Sequence, residues 1–185
     1  VQPAAAGRLA REAETIYLLD ACQTVGQLPI EVDELGCDVL AATSRRFLRR
    51  PRGTGFLCVR RSLCERLQPP FVAISAGTWV APDRYDLVPG ARRFESRESN
   101  VAGKLGMGVA IDHALGLGLD SIWATVSARA ALLRECLATI PGVTVRDLGM
   151  VNGGIVTFGV AGIAPQAVRD ALFADGVNTT VFGIT

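Results

Sequence analysis

Five polar residues in the first fifty positions have the types and spacing to do chemistry together. Asp20 ends the apolar run 16–20, and Gln23 follows three residues later. Thr43, Arg45 and Arg46 come 23 to 26 residues after Asp20. An acid at the carboxyl end of a short apolar strand is typical of a functional residue in a parallel sheet. The arginines open a basic loop, and no aromatic platform for nucleic-acid bases accompanies them, so the pattern favours a phosphate-facing loop.

The elements that must position these residues alternate between strands and helices. We predict helices at 4–13, 31–36 and 61–67 and buried strands at 16–20, 38–42 and 55–60, followed by a loop over 71–91. Helices are predicted at 101–119 and 121–140, with Asp120 as the cap of the second. The tail predicts strands at 143–146, 154–160 and 177–181 around a helix at 165–175. Alternation of this kind indicates an α/β layered domain followed by a small α+β domain.

The motifs at the candidate site resemble those of the class V aminotransferases, the family that includes cysteine desulfurases and C–S lyases. Asp20-Ala-Cys-Gln23 resembles the family's Asp-x-x-Gln, and the family's cofactor lysine falls 26 residues after that Asp. Thr43 and Arg45 match the hydroxyl and the residue before the lysine, and Pro51-x-Gly-x-Gly55 matches the following glycine-rich turn. The segments 91–103, 153–158 and 176–181 also resemble the family, so the likeness covers nearly the whole chain.

This resemblance implies pyridoxal phosphate (PLP) as cofactor. Asp20 would keep the pyridine nitrogen protonated, and Gln23 would hold the phenolic oxygen of the ring. Thr43 and Arg45 would hold the phosphate. The implied fold class is α/β, the type I PLP-dependent transferase fold, with the C-terminal part of the large domain at 1–90 and most of the α+β small domain at 91–185. The implied substrate is small and amino-acid-like, and full-length family members are homodimers.

The chain departs from the family where covalent chemistry would occur. Arg46 stands at the place of the lysine that forms the Schiff base, and a guanidinium offers no neutral amine. Arg50 stands where the family has a glycine, and Glu98 lies where a phosphate contact is expected, although a carboxylate repels phosphate. We favour an inactivated position at Arg46 over a deliberate block, a sequence error or a new phosphate-binding role. Lys104, the only lysine, lies in another segment, so we do not expect it to replace the lost amine.

The composition of the chain narrows the classes of partner and site that we expect. The 185 residues are 49% hydrophobic and 20% charged with a net charge of +1, so we expect no nucleic-acid partner and no membrane. Five cysteines without a C-x-x-C pair favour reduced thiols in a cytoplasmic protein and no metal site. Cys22 is interpreted as a packed residue, and His113, on an apolar helix, as structural. The chain begins at Val1 without methionine and ends in strand-like residues 181–185, which we interpret as a fragment.

Two functions from different classes follow. The first is a PLP-dependent enzyme of the cysteine desulfurase or C–S lyase kind, impaired or inactive because of Arg46. The second is a non-catalytic pseudoenzyme, or a truncated structural or dimerisation partner of an active homologue. Desulfuration, C–S lysis, transamination and epimerisation are not distinguished by the sequence.

Overall fold

The computed structural model describes residues 2–50 and 52–182, which form two compact units, Val1–Ile122 and Trp123–Thr185. Pro51 of the predicted turn, Val1 and the last three residues lie outside the described residues. The predicted division at residue 90 remains a prediction. The helices are α1 Pro3–Glu12, α2 Val32–Leu35, α3 Arg61–Cys64, α4 Val101–Leu117, α5 Leu119–Ala138 and α6 Pro165–Ala174. The strands are β1 Leu18–Asp20, β2 Val39–Thr43, β3 Gly55–Val59, β4 Gly77–Ala81, β5 Arg84–Leu87, β6 Val143–Val145 and β7 Phe158–Val160.

The first unit is built on a three-stranded sheet in the order β1-β2-β3. Strand β1 pairs with β2 in parallel, with Asp20 opposite Ala41. Strand β3 pairs with β2 antiparallel, with Gly55 opposite Thr43. The carboxyl ends of β1 and β2 therefore lie side by side at one end of the strands, as a parallel pair requires. The candidate site predicted from the sequence lies at these strand ends, which are called the Asp20 edge below.

The core of this sheet is small and lies under β2. Ala21, Cys37, Leu40 and Ala42 are buried together, with Leu19 and five other apolar side chains packed on them. Strand β1 was predicted to be buried, but Leu18 is 57% exposed. Strand β3 was also predicted to be buried and is largely exposed. Both lie at the edges of the sheet, so each has a single neighbouring strand.

Two connections depend on glycine. Gly36 ends α2 at φ 66°, in the left-handed region where a β-carbon is unfavourable. Gly7 of α1 lies against the carbonyl of Leu35, and a side chain at residue 7 would collide with that backbone. The contact holds α1 close to α2 and hence beside the parallel strands.

The segment predicted as a loop over 71–91 contains a β-hairpin. Strands β4 and β5 pair antiparallel, with Trp79 opposite Tyr85. The sequence prediction was wrong because it gave the prolines and glycines more weight than the aromatic and β-branched residues on both sides of Pro82-Asp83. The hairpin is followed by a 3₁₀ turn at Ala91–Phe94.

Helices α4 and α5 were predicted correctly, but the break between them lies one residue earlier than expected. Gly118, at φ 81°, ends α4, and α5 begins at Leu119. Asp120 is therefore in the first turn of α5 rather than its cap, where its charge still favours the helix dipole. Asn100 caps α4 by accepting a hydrogen bond from the Gly103 amide at 2.7 Å.

The second unit contains the end of α5, the antiparallel pair β6–β7 and α6. Val143 lies opposite Val160. The predicted strand at 177–181 is not formed, since the described residues there pair with no other strand. Arg134 and Asp147 form a largely buried ion pair at 2.6 Å. No helix among the described residues combines the length and apolar character needed to cross a bilayer.

Candidate active site

The carboxylate of Asp20 lies exposed at the carboxyl end of β1, as the sequence predicted. The backbone amide of Cys22 donates to Asp20 Oδ1 at 2.9 Å. Hydrogen bonds from the thiol and the backbone of Cys22 hold the pKa of Asp20 below its usual value, against a smaller opposing effect of desolvation. Asp20 is therefore ionised at neutral pH. A carboxylate in this state can accept a hydrogen bond from a protonated ring nitrogen.

The thiol of Cys22 lies at the centre of the candidate residues. Its hydrogen bond to Asp20, then burial and the Asp20 charge, raise its pKa, while the Thr43 backbone and the Arg45 charge oppose the rise. The thiol therefore stays protonated at neutral pH. The sulfur atom therefore lies near the Asp20 carboxylate and the end of β2, and the charge of Arg45 acts on it from the turn that follows. From the sequence, Cys22 was interpreted as a packed residue. Its place two residues after a strand-terminal acid was the signal that its thiol could bind that acid.

Gln23 lies on the turn that follows Cys22, with its side chain exposed. Its carbonyl accepts a hydrogen bond from Gln27 Nε2 at 2.5 Å. The turn is closed by bonds from the Thr24 and Val25 amides to the Ala21 carbonyl, at 2.9 and 3.0 Å. Gln23 is thus presented to solvent beside the strand end, where its amide is free to bind a ligand.

Thr43 ends β2 beside a buried serine that the sequence did not single out. Ser44 is fully buried, and its hydroxyl donates to the Thr54 carbonyl at 2.9 Å and contacts the Thr54 hydroxyl. The Ser44 amide donates to the same carbonyl at 3.1 Å. This cluster fixes where β2 stops and the arginine loop starts. Thr43 Oγ1 makes only a long contact of 3.5 Å with that carbonyl, so its hydroxyl can donate to a ligand.

Arg45 and Arg46 follow on a turn closed by the bond from the Arg49 amide to the Arg46 carbonyl at 2.9 Å. Both side chains are exposed. The turn presents two guanidinium groups immediately after the last residue of β2. They can bind an anion such as phosphate, but neither offers a neutral amine.

Lys104 lies in a separate polar cleft of the same unit. That cleft is lined by the Gly53–Gly55 turn, by Ser96, Ser99 and Asn100, and by the carboxylate residues Glu95 and Glu98. Two acids face one lysine there, which opposes binding of a phosphate, as expected for Glu98. Among residues 2–50 and 52–182, no three His, Cys, Asp or Glu side chains come together in a way that could hold a metal ion.

The donors at the edge fit part of what PLP needs. An ionised carboxylate, an exposed amide, a hydroxyl and a guanidinium come from the ends of β1 and β2. They suit a protonated ring nitrogen and a phosphate. Arg46, on the turn after β2, offers no neutral amine for a covalent bond to the cofactor. The residues present therefore fit a cofactor held without a covalent bond.

Comparison with known proteins assigns the family. The model of the class-V aminotransferases matches residues 1–183, so this chain belongs to the class-V aminotransferase family. A probable cysteine desulfurase of Methanothermobacter thermautotrophicus is 27% identical over 166 residues, 90% of this chain and 42% of the relative. A probable hercynylcysteine sulfoxide lyase of Mycobacterium tuberculosis is 31% identical over 179 residues, 96% of this chain and 42% of the relative.

A solved structure confirms the fold. The apo cysteine desulfurase of Thermococcus onnurineus superposes with a TM-score of 0.81 at 25% identity, over 96% of this chain and 44% of that chain. The fold is therefore that of the type I PLP-dependent transferases, and this chain spans about two fifths of the length of the relatives it matches. One solved structure of this fold, a C-DES mutant, holds glycine covalently linked to PLP.

Proposed function

We propose that this chain holds PLP through its ring and phosphate alone, and that it is impaired or inactive as a cysteine desulfurase or C–S lyase. Asp20 and Gln23 hold the ring, and Thr43 and Arg45 hold the phosphate. The observation that carries the proposal is the exposed guanidinium of Arg46 on the turn after β2, which offers no neutral amine for a covalent bond to the cofactor. The bound cofactor supplies an electron sink for carbanion chemistry at the α-carbon of an amino acid.

The residues of the chain have distinct tasks in this proposal. The carboxylate of Asp20 keeps the ring nitrogen protonated, and the thiol of Cys22 keeps that carboxylate in place through its hydrogen bond. Arg45 balances the negative charge of the phosphate. Arg46 cannot accept a proton at neutral pH, so it cannot move protons to and from the substrate as a neutral amine does. Impairment follows from this missing proton acceptor as well as from the missing covalent bond.

The experiment is a binding titration monitored by PLP absorbance, with pyridoxal as the ligand that lacks the phosphate. We expect saturable binding of PLP and roughly tenfold or weaker binding of pyridoxal, because one charge-assisted hydrogen bond is worth about 1.5–3 kcal/mol. Asp20→Asn and Arg45→Gln should each weaken PLP binding by a similar factor. Arg52→Gln changes an exposed arginine of the same loop and should leave binding unaltered.

Three results would contradict the proposal. Equal affinities for PLP and pyridoxal would show that the protein does not bind the phosphate. Sulfide release from cysteine by the unmodified protein at a rate abolished by borohydride would show that a covalent amine is present after all. Loss of binding in the Arg52 control would mean that the loop acts through its total charge.

A second candidate is a non-catalytic subunit that pairs with a second copy or an active homologue. The observation that favours it is the apolar surface around the β4–β5 hairpin, where Phe71 is 89%, Ile74 77% and Trp79 78% exposed. Exposed aromatic patches of this kind mark protein contacts. Light scattering on the purified protein and on Trp79→Ser tests this candidate. A monomer in both cases at all concentrations would contradict self-pairing.

A further inference from the structure

Arg50 is a partly buried cation without an acid. Its Nη2 donates to the Gly103 carbonyl on α4, and its Nε is fully buried with no hydrogen-bond partner. None of the ion pairs found among residues 2–50 and 52–182 includes Arg50. A guanidinium offers five N–H donors, and leaving one of them buried and unpaired is unfavourable. Because Nε has no accessible surface, a ligand beside Arg50 can reach the guanidinium only through Nη1 or Nη2.

Helix α4 is shaped to admit this guanidinium. Gly106 lies directly under Arg50 Nη1, and a β-carbon at residue 106 would overlap the guanidinium group. Gly103, one turn earlier, provides the carbonyl that Nη2 contacts. The two glycines let the arginine lie against the helix backbone, so its charge is held in place rather than extended into water.

A cleft of about 300 Å³ opens beside Arg50 in the same unit. Its basic lining groups are Arg49, Arg50 and His113. The rest of the lining is apolar or glycine: Gly26, Phe47, Leu48, Gly106, Val109, Ala110, Ala114, Leu117 and Ile122. No acidic residue lines the cleft. The volume is at the lower end of the range for small-molecule sites, and an apolar wall with few polar groups is their usual composition.

We propose that this cleft binds a small carboxylate with an apolar body, such as an arylacetate or a branched aliphatic acid. The carboxylate accepts hydrogen bonds from Arg50 and lies near Arg49 and His113, while the body packs on the wall formed by α4. An anion suits the cleft because the guanidinium groups of Arg49 and Arg50 line it and no carboxylate opposes them. A single small ligand is required because the cleft is small. This site is separate from the residues assigned to PLP.

His113 makes the proposal testable without a variant. It is the only histidine of the chain, so its imidazole resonances in a proton NMR spectrum need no assignment. We would titrate the protein with phenylacetate and, in parallel, with phenylacetamide, which has the same ring and no charge. The expected result is a saturable shift of the His113 signals with phenylacetate. Phenylacetamide should bind roughly ten- to a hundredfold more weakly, the equivalent of about 1.5–3 kcal/mol.

Two variants locate the site. Arg50→Gln removes the charge and should weaken phenylacetate binding at least tenfold, whereas Arg52→Gln, outside the cleft, should not. Ala110→Leu fills the apolar wall and should weaken both ligands. Far-UV circular dichroism checks that each variant is folded, and the comparison of the two ligands on the unmodified protein decides the question if Arg50→Gln does not fold.

Three results would overturn the proposal. Equal binding of phenylacetate and phenylacetamide would show that the cleft binds the apolar body and does not recognise the carboxylate. Retained binding in Arg50→Gln would show that Arg50 does not contact the ligand. No saturable shift of His113 would show that phenylacetate does not occupy the cleft. Since PLP takes no part in these titrations, their failure leaves the proposed function standing, and failure of PLP binding leaves this site untouched.

Discussion

The ion pair of the second unit gives a sharp prediction about stability. Asp147 accepts hydrogen bonds from Arg134 Nε at 2.6 Å, from the Thr157 amide at 2.8 Å and from the Thr157 hydroxyl at 2.5 Å. Arg134 Nη2 also donates to the carbonyls of Gly153 and Ile155, at 2.8 and 2.9 Å. One carboxylate thus orients an arginine that holds the segment entering β7.

The change is Asp147→Asn, which keeps the shape and removes the charge. The side chains of Asp147 and Arg134 are only 9% and 17% exposed, so the arginine would be left largely buried without a counter-charge. Breaking such a pair costs about 3–5 kcal/mol. Whole domains are stable by about 5–15 kcal/mol. We therefore expect the second unit of Asp147→Asn to unfold at a clearly lower urea concentration than the second unit of the unmodified protein.

The assay is urea denaturation followed by circular dichroism, with Asp170→Asn as the matched control. Asp170 pairs with Arg169 at 3.0 Å, but both side chains are much more exposed, at 60% and 42%. The control should therefore change the free energy of unfolding by less than about 0.5 kcal/mol. A result in which both substitutions have the same small effect would refute the inference that burial makes the Asp147 pair strong.

Acid provides a second check on the same residue. Burial alone raises the pKa of Asp147, but hydrogen bonds from Thr157 and Arg134, with the Arg134 charge, lower it below the usual value. A lowered folded pKa gives stability that is present above the unfolded pKa of about 4 and is lost as pH falls through the folded value. The unmodified protein and Asp147→Asn should therefore converge in strongly acidic buffer. A difference in the free energy of unfolding between the two proteins that stays constant with pH would contradict this.

Two further predictions concern the loop that carries the candidate site. Gly26→Ala should lower the free energy of unfolding by about 1–3 kcal/mol, because φ is 92° and the new β-carbon would lie 2.9 Å from the backbone of Phe47 and Leu48; an unchanged urea midpoint would contradict it. Ser44→Ala should cost about 1–2 kcal/mol, since it removes a fully buried hydroxyl bonded to Thr54; thermal melting measures it, and a stabilising effect would show that the hydroxyl is not needed.

The part of the fold that follows from local pattern was predictable. The apolar run ending at Asp20 and the run 38–42 predicted two strands, the first of a parallel sheet, and the structure pairs them in parallel. Helices α1, α4 and α6 were also predicted, and each forms close to its predicted bounds. The exposure of β1 and β3 did not follow, because a strand's position in the sheet depends on which strands flank it, and no local pattern encodes that.

The contacts among the candidate site residues were not predictable from the sequence. Asp20 and Thr43 follow from spacing, but the thiol of Cys22 as the group that joins them depends on the turn at 21–25. The burial of Arg50 against α4 was also missed. It depends on a contact between residues 50 and 106 that brings two distant segments together, and a run of five arginines gives no sign of which one turns inward.

Binding of PLP without a covalent bond is tested by the mass of the protein after incubation with PLP and reduction with borohydride, for the unmodified chain and for Arg46→Lys. We expect no added mass for the unmodified chain, because Arg46 offers no amine, and one reduced PLP adduct at residue 46 in the variant. An adduct on the unmodified chain, mapped to Lys104, would contradict it, because a lysine outside the Asp20 edge would then hold the cofactor.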